Sequence, residues 1–182
     1  MRRWIACLLL LPLLAAGCGD RSLILTVDVL SFLDPADVTG PYGPIPPGLP
    51  ATSVDVASEE VSLLPGIGDV TEVSSATLAI GASFDNTTGS ASAHLLVFIT
   101  SADSADVFST APIADVPVSV TPGNVTNVST EVSSASLAEA MVQAKVKIGV
   151  RITFDTTSSL TPVQGTESIT LLRATVITKK KL

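Results

Sequence analysis

Few side chains in this 182-residue sequence are of types that carry out chemistry. The only histidine, His94, lies within an apolar stretch of strand-like sequence. A histidine base needs a partner that gives up a proton, but the sequence has no second histidine and no G-x-S-x-G motif around a serine. We therefore interpret His94 as a strand residue with a satisfied hydrogen bond. The sequence predicts a protein without catalytic residues, one that is not an enzyme.

Two pairs of closely spaced acids are the remaining candidates for a site. They are Asp34 with Asp37, and Asp103 with Asp106. Calcium takes six to eight oxygen ligands, often from clustered loop carboxylates, so these four aspartates are weak calcium candidates. Each pair also lies beside turn residues, where aspartate accepts hydrogen bonds from backbone N–H groups. We favour that second interpretation, and we expect no bound metal or cofactor.

The start of the chain carries a different kind of signal. Arg2 and Arg3 precede an apolar stretch, Trp4–Leu14, that is too short to cross about 30 Å of hydrocarbon as a helix. It ends in Leu14-Ala15-Ala16-Gly17-Cys18, which resembles the lipobox of bacterial lipoprotein precursors, although that family prefers Leu where Ala15 stands. The resemblance implies that residues 1–17 form a signal peptide that is removed, and that Cys18 becomes an acylated N-terminus.

The lipobox resemblance also implies a location. Two or three acyl chains on Cys18 would hold the protein stably on a membrane, in the cell envelope. In bacteria with two membranes, Asp directly after the cysteine resembles an inner-membrane retention signal, and this chain has Gly19 there. We therefore expect the outer membrane, with the protein facing the periplasm or the cell surface. Residues 18–22 would be the acylated cysteine and a short tether.

Charge and cysteine content limit the kinds of partner and of chemical site that the sequence allows. The formal net charge is −7, and residues 19–140 hold fifteen acids against one base, Arg21. Such an acidic body does not attract nucleic acid. The second cysteine, Cys7, lies in the signal segment, so the mature domain has no disulfide, thiol nucleophile or thiolate ligand.

Alternation of apolar and polar residues predicts the architecture of residues 23–182. The clearest example alternates Lys145, Lys147, Gly149, Arg151 and Thr153 with Val146, Ile148, Val150, Ile152 and Phe154. Similar patterns predict about eight strands, at residues 23–33, 52–64, 76–84, 91–100, 116–120, 125–132, 145–154 and 167–178. A capping-box pattern at Ser136–Glu139 predicts one short helix. We predict a single all-β domain, an antiparallel two-sheet sandwich of immunoglobulin type, with a closed β-barrel as the alternative.

The segment from residue 34 to residue 50 stands apart, because it holds six of the twelve prolines. Proline lacks the N–H that a strand donates, so the segment is predicted to be an irregular loop. Long loops in compact domains are often functional, and a partner could bind here through Tyr42, Pro44, Pro46 and Pro47. The other interpretation is a stiff crossover between sheets.

Three hypotheses for function remain open at this point. The first is a non-catalytic, lipid-anchored sandwich that binds an envelope protein or supports an assembly. The second is a carrier with a β-lined cavity for a lipid or another apolar ligand, because Leu95–Ile99 and Leu30–Phe32 are apolar on both faces. An envelope hydrolase is the third, and the sequence disfavours it.

Overall fold

The computed structural model describes residues 21–62, 72–141, 143 and 145–180. The predicted signal peptide, Cys18 and Lys181 lie outside the described residues. Within them the chain forms nine strands, two short 3₁₀ turns and one α-helix. The strands are β1 (Arg21–Asp28), β2 (Thr39–Ile45), β3 (Thr52–Ser62), β4 (Glu72–Thr88), β5 (Ala91–Ser101), β6 (Ala114–Val120), β7 (Asn124–Ser133), β8 (Lys145–Asp155) and β9 (Val163–Lys180). The 3₁₀ turns are η1 (Val29–Phe32) and η2 (Val107–Ser109), and the helix is α1 (Ala135–Met141).

The strands pair in two antiparallel sheets. The first has the order β1-β9-β4-β7, and the second has the order β3-β8-β5-β6. Strand β2 also pairs with β9, opposite residues 163–168, whereas β1 pairs with residues 173–180 of the same strand. Strands β1 and β2 therefore follow one another along a single edge of β9, because β4 occupies its other edge.

The strand order shows which type of β-sandwich the chain forms. Counting β1 and β2 as one edge, the chain has eight strand positions in two four-stranded sheets, which is the double Greek key of a jelly roll. The prediction of an all-β antiparallel sandwich with one short helix is confirmed. Its connections are those of a jelly roll rather than of an immunoglobulin domain, since alternation shows which face of a strand is apolar but not which strand it pairs with. The described residues form two separate sheets and not the closed barrel of the alternative.

Inward-facing residues of both sheets form the core, as the alternation predicted. On β8, the five apolar residues from Val146 to Phe154 are buried, and on β4 Leu78, Ile80 and Phe84 are fully buried. Burying one such side chain contributes about 1.5–3 kcal/mol. Helix α1 closes the core with Leu137, and Ser134 caps it by accepting a hydrogen bond from the Leu137 N–H at 3.1 Å.

The loop after β5 folds back over the outer face of the second sheet. Val107 and Phe98 are both buried, and the rings of Phe98 and Phe108 meet edge to face at 5.3 Å. Gly149 lies beneath them, and a Cβ there would come within 2.7 Å of Val107. The guanidinium of Arg151 covers the Phe108 ring at 4.1 Å. Strand β5 is thus apolar on both faces because one face packs in the core and the other beneath this loop.

The predicted loop between residues 34 and 50 contains a strand, which corrects the sequence prediction. Strand β2 includes Pro41 and Pro44, and among the described strands it pairs with β9 alone. An edge strand needs hydrogen bonds on one side only, so proline is tolerated there. The sequence prediction failed because it treated the prolines as excluding any strand.

Because the sheets are antiparallel, the strands run between two ends of the sandwich. At one end, Arg21 pairs with Lys180, and Lys179 pairs with Glu72. We name this the anchor end because Arg21 comes three positions after Cys18, the predicted acylation site, in the sequence. The opposite end, named the loop end, carries residues 46–49, 89–90, 121–123 and 156–162, each next to a strand terminus. In the turn at residues 121–124, Gly123 has a positive φ of 72°, which glycine adopts without strain. No helix in the described part of the chain is long and apolar enough to cross a membrane.

Candidate binding surface at the loop end

The four candidate calcium ligands lie in or beside turns and make hydrogen bonds within them. The carboxylate of Asp34 accepts a hydrogen bond from the Ala36 N–H at 2.8 Å, and that of Asp106 accepts one from the Phe108 N–H at 2.9 Å. Asp37 donates its backbone N–H to the Asp34 carbonyl, and Asp103 donates its own to the Ser101 hydroxyl. Among the described residues, no three histidine, cysteine or acidic side chains come together as a metal site.

His94 has one well-defined partner. Its Nδ1 lies 2.6 Å from Oδ1 of Asp115, across the pair of strands β5 and β6, and both side chains are about half exposed. This contact provides the hydrogen bond that the interpretation as a strand residue requires.

Tyr42 lies in the core and not on the surface of the proline-rich segment. Its ring is 1% exposed and stacks on Phe154 at 4.8 Å between centroids. Its hydroxyl donates a hydrogen bond to Oδ1 of Asn86, which is fully buried and donates in turn from Nδ2 to the Gly89 carbonyl. Burial raises the pKa of Tyr42. The Tyr42 ring therefore fastens β2 to the sandwich, whereas Pro44, Pro46 and Pro47 remain exposed.

Glu167 is a buried acid that the sequence did not suggest. It is 3% exposed, and its Oε2 has no hydrogen-bond partner among the described residues. Desolvation raises the pKa of Glu167 to about 7. The charge of Glu167 and that of Asp85 also raise the pKa of Tyr42. A β-bulge hid this residue from the sequence pattern, because it shifts the inward face of β9 by one residue between Ile169 and Leu171.

Thr156 joins the proline-rich segment to the loop between β8 and β9. The side chain is fully buried, and its hydroxyl donates to the Pro46 carbonyl at 2.7 Å and accepts from the Leu49 N–H at 3.1 Å. Its backbone pairs with the same segment, through the Thr156 N–H to the Leu49 carbonyl and the Gly48 N–H to the Thr156 carbonyl. Four hydrogen bonds thus fix residues 46–49 on Thr156.

Ser159 and Gly89 join a third loop to these two. Ser159 is buried; its hydroxyl accepts from the Ser90 N–H and donates to the Thr161 carbonyl. Gly89 has φ of 69°, and a Cβ there would lie 2.6 Å from the Pro162 carbonyl oxygen, so this turn requires glycine. Residues 46–49, 86–90 and 156–162 together form what we name the loop platform.

The loop platform presents apolar side chains to solvent. Leu160 is 96% exposed and Leu49 is 37% exposed, although both lie on segments held by part-buried hydrogen bonds. A cleft of about 370 Å³ lies beside the platform. Its lining residues are Pro41, Tyr42, Gly43, Pro44, Thr87, Gln164, Gly165 and Thr166. The arrangement is a rigid, mixed apolar and polar surface that is suited to contact with another molecule.

Comparisons with known proteins relate the chain to distant structures only. No protein-family model matches it, and no curated protein does. A chain from the structure of the Gx strain of infectious bursal disease virus matches at 10% identity, with a TM-score of 0.47, over 90% of this chain and 37% of the viral one. Latent PorU of Porphyromonas gingivalis matches at 10% identity, with a TM-score of 0.35, over 90% of this chain and 13% of its own. The chain thus spans less than half the length of these proteins.

Proposed function

We propose that the protein is a lipid-anchored lipoprotein of the bacterial cell envelope and that its jelly-roll domain is a non-catalytic binding module. The acylated Cys18 would hold the anchor end at the membrane, and the loop platform would contact an envelope protein. The observation that carries this proposal is Leu160, which is 96% exposed on a loop that Thr156 and Ser159 hold rigidly. A rigid surface loses little conformational entropy when it binds.

The length of β9 supports the same arrangement. Gly165 borders the cleft at the loop end, and Lys180 lies at the anchor end, fifteen positions further along one strand. A strand rises about 3.3 Å per residue, so the two ends are separated by roughly 50 Å. Without any stalk, the domain itself would hold the loop platform well away from the lipid. We propose the outer membrane as its location, from Gly19.

The main alternative is the carrier hypothesis, which was suggested by segments that are apolar on both faces. The described structure gives these segments another explanation. The outward apolar face of β5 packs beneath Val107 and Phe108, and residues 29–32 form a 3₁₀ turn with Val29 in the core. The clefts of about 370, 230 and 340 Å³ in the described part of the chain are lined partly by exposed polar residues at the surface. The hydrolase hypothesis would need His94 as its catalytic base. In the described structure the partner of His94 is Asp115, and both side chains are about half exposed.

Lipid anchoring is tested by labelling the full chain in a diderm bacterium with an alkyne analogue of palmitate. We expect the wild-type protein to take up the label and to fractionate with membranes. Cys18→Ser should do neither, whereas Cys7→Ser, which changes the cysteine inside the signal segment, should behave as wild type. Labelling that survives Cys18→Ser would contradict the anchoring proposal.

Binding at the loop platform is tested by placing a photo-crosslinking amino acid at position 160 in cells. We expect a discrete crosslinked product of one partner, which disappears when Leu49 is changed to Asp. The same amino acid at the exposed position Thr26 serves as the matched control. Identical products from positions 160 and 26 would show that the crosslinks are nonspecific and would overturn the binding proposal.

A further inference from the structure

Strand β7 forms a long, straight edge of the first sheet. Its residues pair with β4 at ten consecutive positions, from Asn124 to Ser133, without a register shift. The opposite side of β7 has no partner strand within the described residues. None of its ten residues is buried. Such an edge presents a row of backbone N–H and C=O groups with which another strand can pair.

The other edge strands carry prolines, bulges or charges, which usually keep an exposed edge from pairing with another chain. These features are Pro41 and Pro44 in β2, Pro117 in β6, the register shift between Asp55 and Ala57 in β3, and the terminal charges Arg21 and Asp28 in β1. Strand β7 has neither a proline nor a register shift, and Glu131 is its one charged residue. It is therefore the edge that is least protected among the described strands.

A second copy of β7 fits this edge when a two-fold axis passes through Ser129. Antiparallel pairing then places Asn127 opposite Glu131 of the second copy, twice by symmetry. The Asn127 amide can donate a hydrogen bond to that carboxylate, and Glu131 makes no ion pair within the described residues. The two Glu131 residues would lie four positions apart along the strands, about 14 Å, which exceeds the Debye length of about 8 Å.

The face of β7 that points towards the core is matched in the same register. Val128 would lie opposite Thr130 of the second copy, and Val132 would lie opposite Thr126. All four side chains are partly exposed in the single chain. Because β-branched residues pack well against one another across a pair of strands, the second copy would cover these side chains.

The acids on neighbouring elements do not lie on the open side of β7. Asp85 lies on β4, opposite Val125. Asp115 lies on β6, with its Oδ1 2.6 Å from Nδ1 of His94 on β5. Glu139 lies on α1, beyond the end of β7. Since the whole chain has a formal net charge of −7, an edge with one charged residue is where two copies can meet with little repulsion.

We infer that two copies of the protein associate through β7, antiparallel and with Ser129 at the two-fold axis, so that their first sheets become one continuous sheet. This inference goes beyond the binding module proposed above and does not depend on the lipid anchor. Antiparallel pairing points the anchor ends of the two copies in opposite directions. If each anchor end is held at a bilayer, as proposed, the dimer would therefore link two facing membranes.

The test uses single-cysteine variants of the full chain, purified in detergent and oxidised with copper phenanthroline. Ser129→Cys places the new cysteine opposite itself, at about 4.5–5.5 Å between Cα atoms, which a disulfide can span. Val125→Cys, on the same face of β7, would lie eight positions from its counterpart, about 27 Å. We expect a disulfide-linked dimer from Ser129→Cys, and from Val125→Cys only the background that the wild type gives through Cys7 or Cys18. A mixture of Val125→Cys with Ser133→Cys should give the mixed dimer.

Two charge variants at one position test the pairing of Asn127 with Glu131. Asn127→Asp places a second carboxylate opposite Glu131 at two symmetric positions, and we expect it to raise the dissociation constant of the dimer about tenfold. Asn127→Lys places an opposite charge there and should keep the dimer. Sedimentation equilibrium measures both constants.

Two results would overturn the inference: no disulfide-linked dimer from Ser129→Cys, or equal dissociation constants for Asn127→Asp and Asn127→Lys. Linkage of Ser129→Cys in cells to a different protein would show another occupant of the edge and would overturn it as well. Because these measurements need no membrane, their outcome is separate from that of the palmitate labelling at Cys18.

Discussion

Glu167 is a side chain whose acidity the fold changes strongly. Its carboxyl group is 3% exposed and has an unpartnered oxygen, and desolvation raises its pKa from 4.5 to about 7. The folded protein therefore binds more protons than the unfolded chain between about pH 4.5 and pH 7. Stability must fall as the pH rises through this window, by roughly 3 kcal/mol for a shift of this size.

Glu167→Gln tests this pH dependence. We expect the variant and the wild type to have similar free energies of unfolding below about pH 4.5, and the variant to be more stable above about pH 7. Urea denaturation at several pH values measures the difference. The exposed Glu139, changed to Gln, is the matched control and should show no such trend. A difference between Glu167→Gln and wild type that stays constant with pH would contradict the assignment.

Thr156 makes the second prediction at the scale of a residue. Thr156→Val keeps the shape but removes the hydroxyl that donates to the Pro46 carbonyl and accepts from the Leu49 N–H, leaving these part-buried backbone groups without that partner. We expect a loss of about 1–3 kcal/mol in the free energy of unfolding, with faster hydrogen exchange at the amides of Gly48 and Leu49. Thr170→Val, at an exposed position of β9, is the control. An equal effect of both substitutions would show that Thr156 does not hold the loop platform.

At the scale of elements, strand positions were largely predictable and their partners were not. Alternation located β8 within one residue of its bounds, because residues facing solvent and core differ in polarity. It missed β2, where proline is tolerated only because the strand lies at an edge. It gave no sign that Glu167 is buried, since the even-numbered residues Leu172, Ala174 and Val176 face inward and the bulge reverses this parity before residue 170. The loop platform depends on contacts between distant loops, which no local pattern encodes.

The loop that covers β5 provides the prediction for an element. A methyl group on Gly149 would meet Val107 and Phe108 at 2.7 and 2.8 Å, so Gly149→Ala should cost about 1–3 kcal/mol and lift the loop. Phe108→Ala removes part of the clash, so the double variant should lose less stability than the sum of the two single variants. Urea denaturation of all four proteins measures the coupling. Additive losses would mean that the loop does not pack on Gly149.

At the scale of the whole molecule, the sandwich is a spacer as well as a scaffold. If the anchor end faces the bilayer, position 160 lies roughly 50 Å from the lipid surface along β9. When the acylated protein is reconstituted into vesicles that contain a dansyl-labelled lipid, Leu160→Trp should therefore give little energy transfer, whereas Ser22→Trp at the anchor end should give strong transfer. Comparable transfer from both positions would mean that the domain lies flat on the membrane, and the loop platform would then not project from it.

The pairing of Arg21 with Lys180 has a consequence for protein engineering. Directly opposite residues of antiparallel strands lie about 5 Å apart, so a short linker could join these two positions and make the sandwich a closed ring. Opening that ring within the exposed turn at residues 121–123 would create a circular permutant with the same pairing of strands. A cysteine anchor attached at the new start would suspend the domain from its loop end, so one sequence could be displayed in either of two opposite orientations.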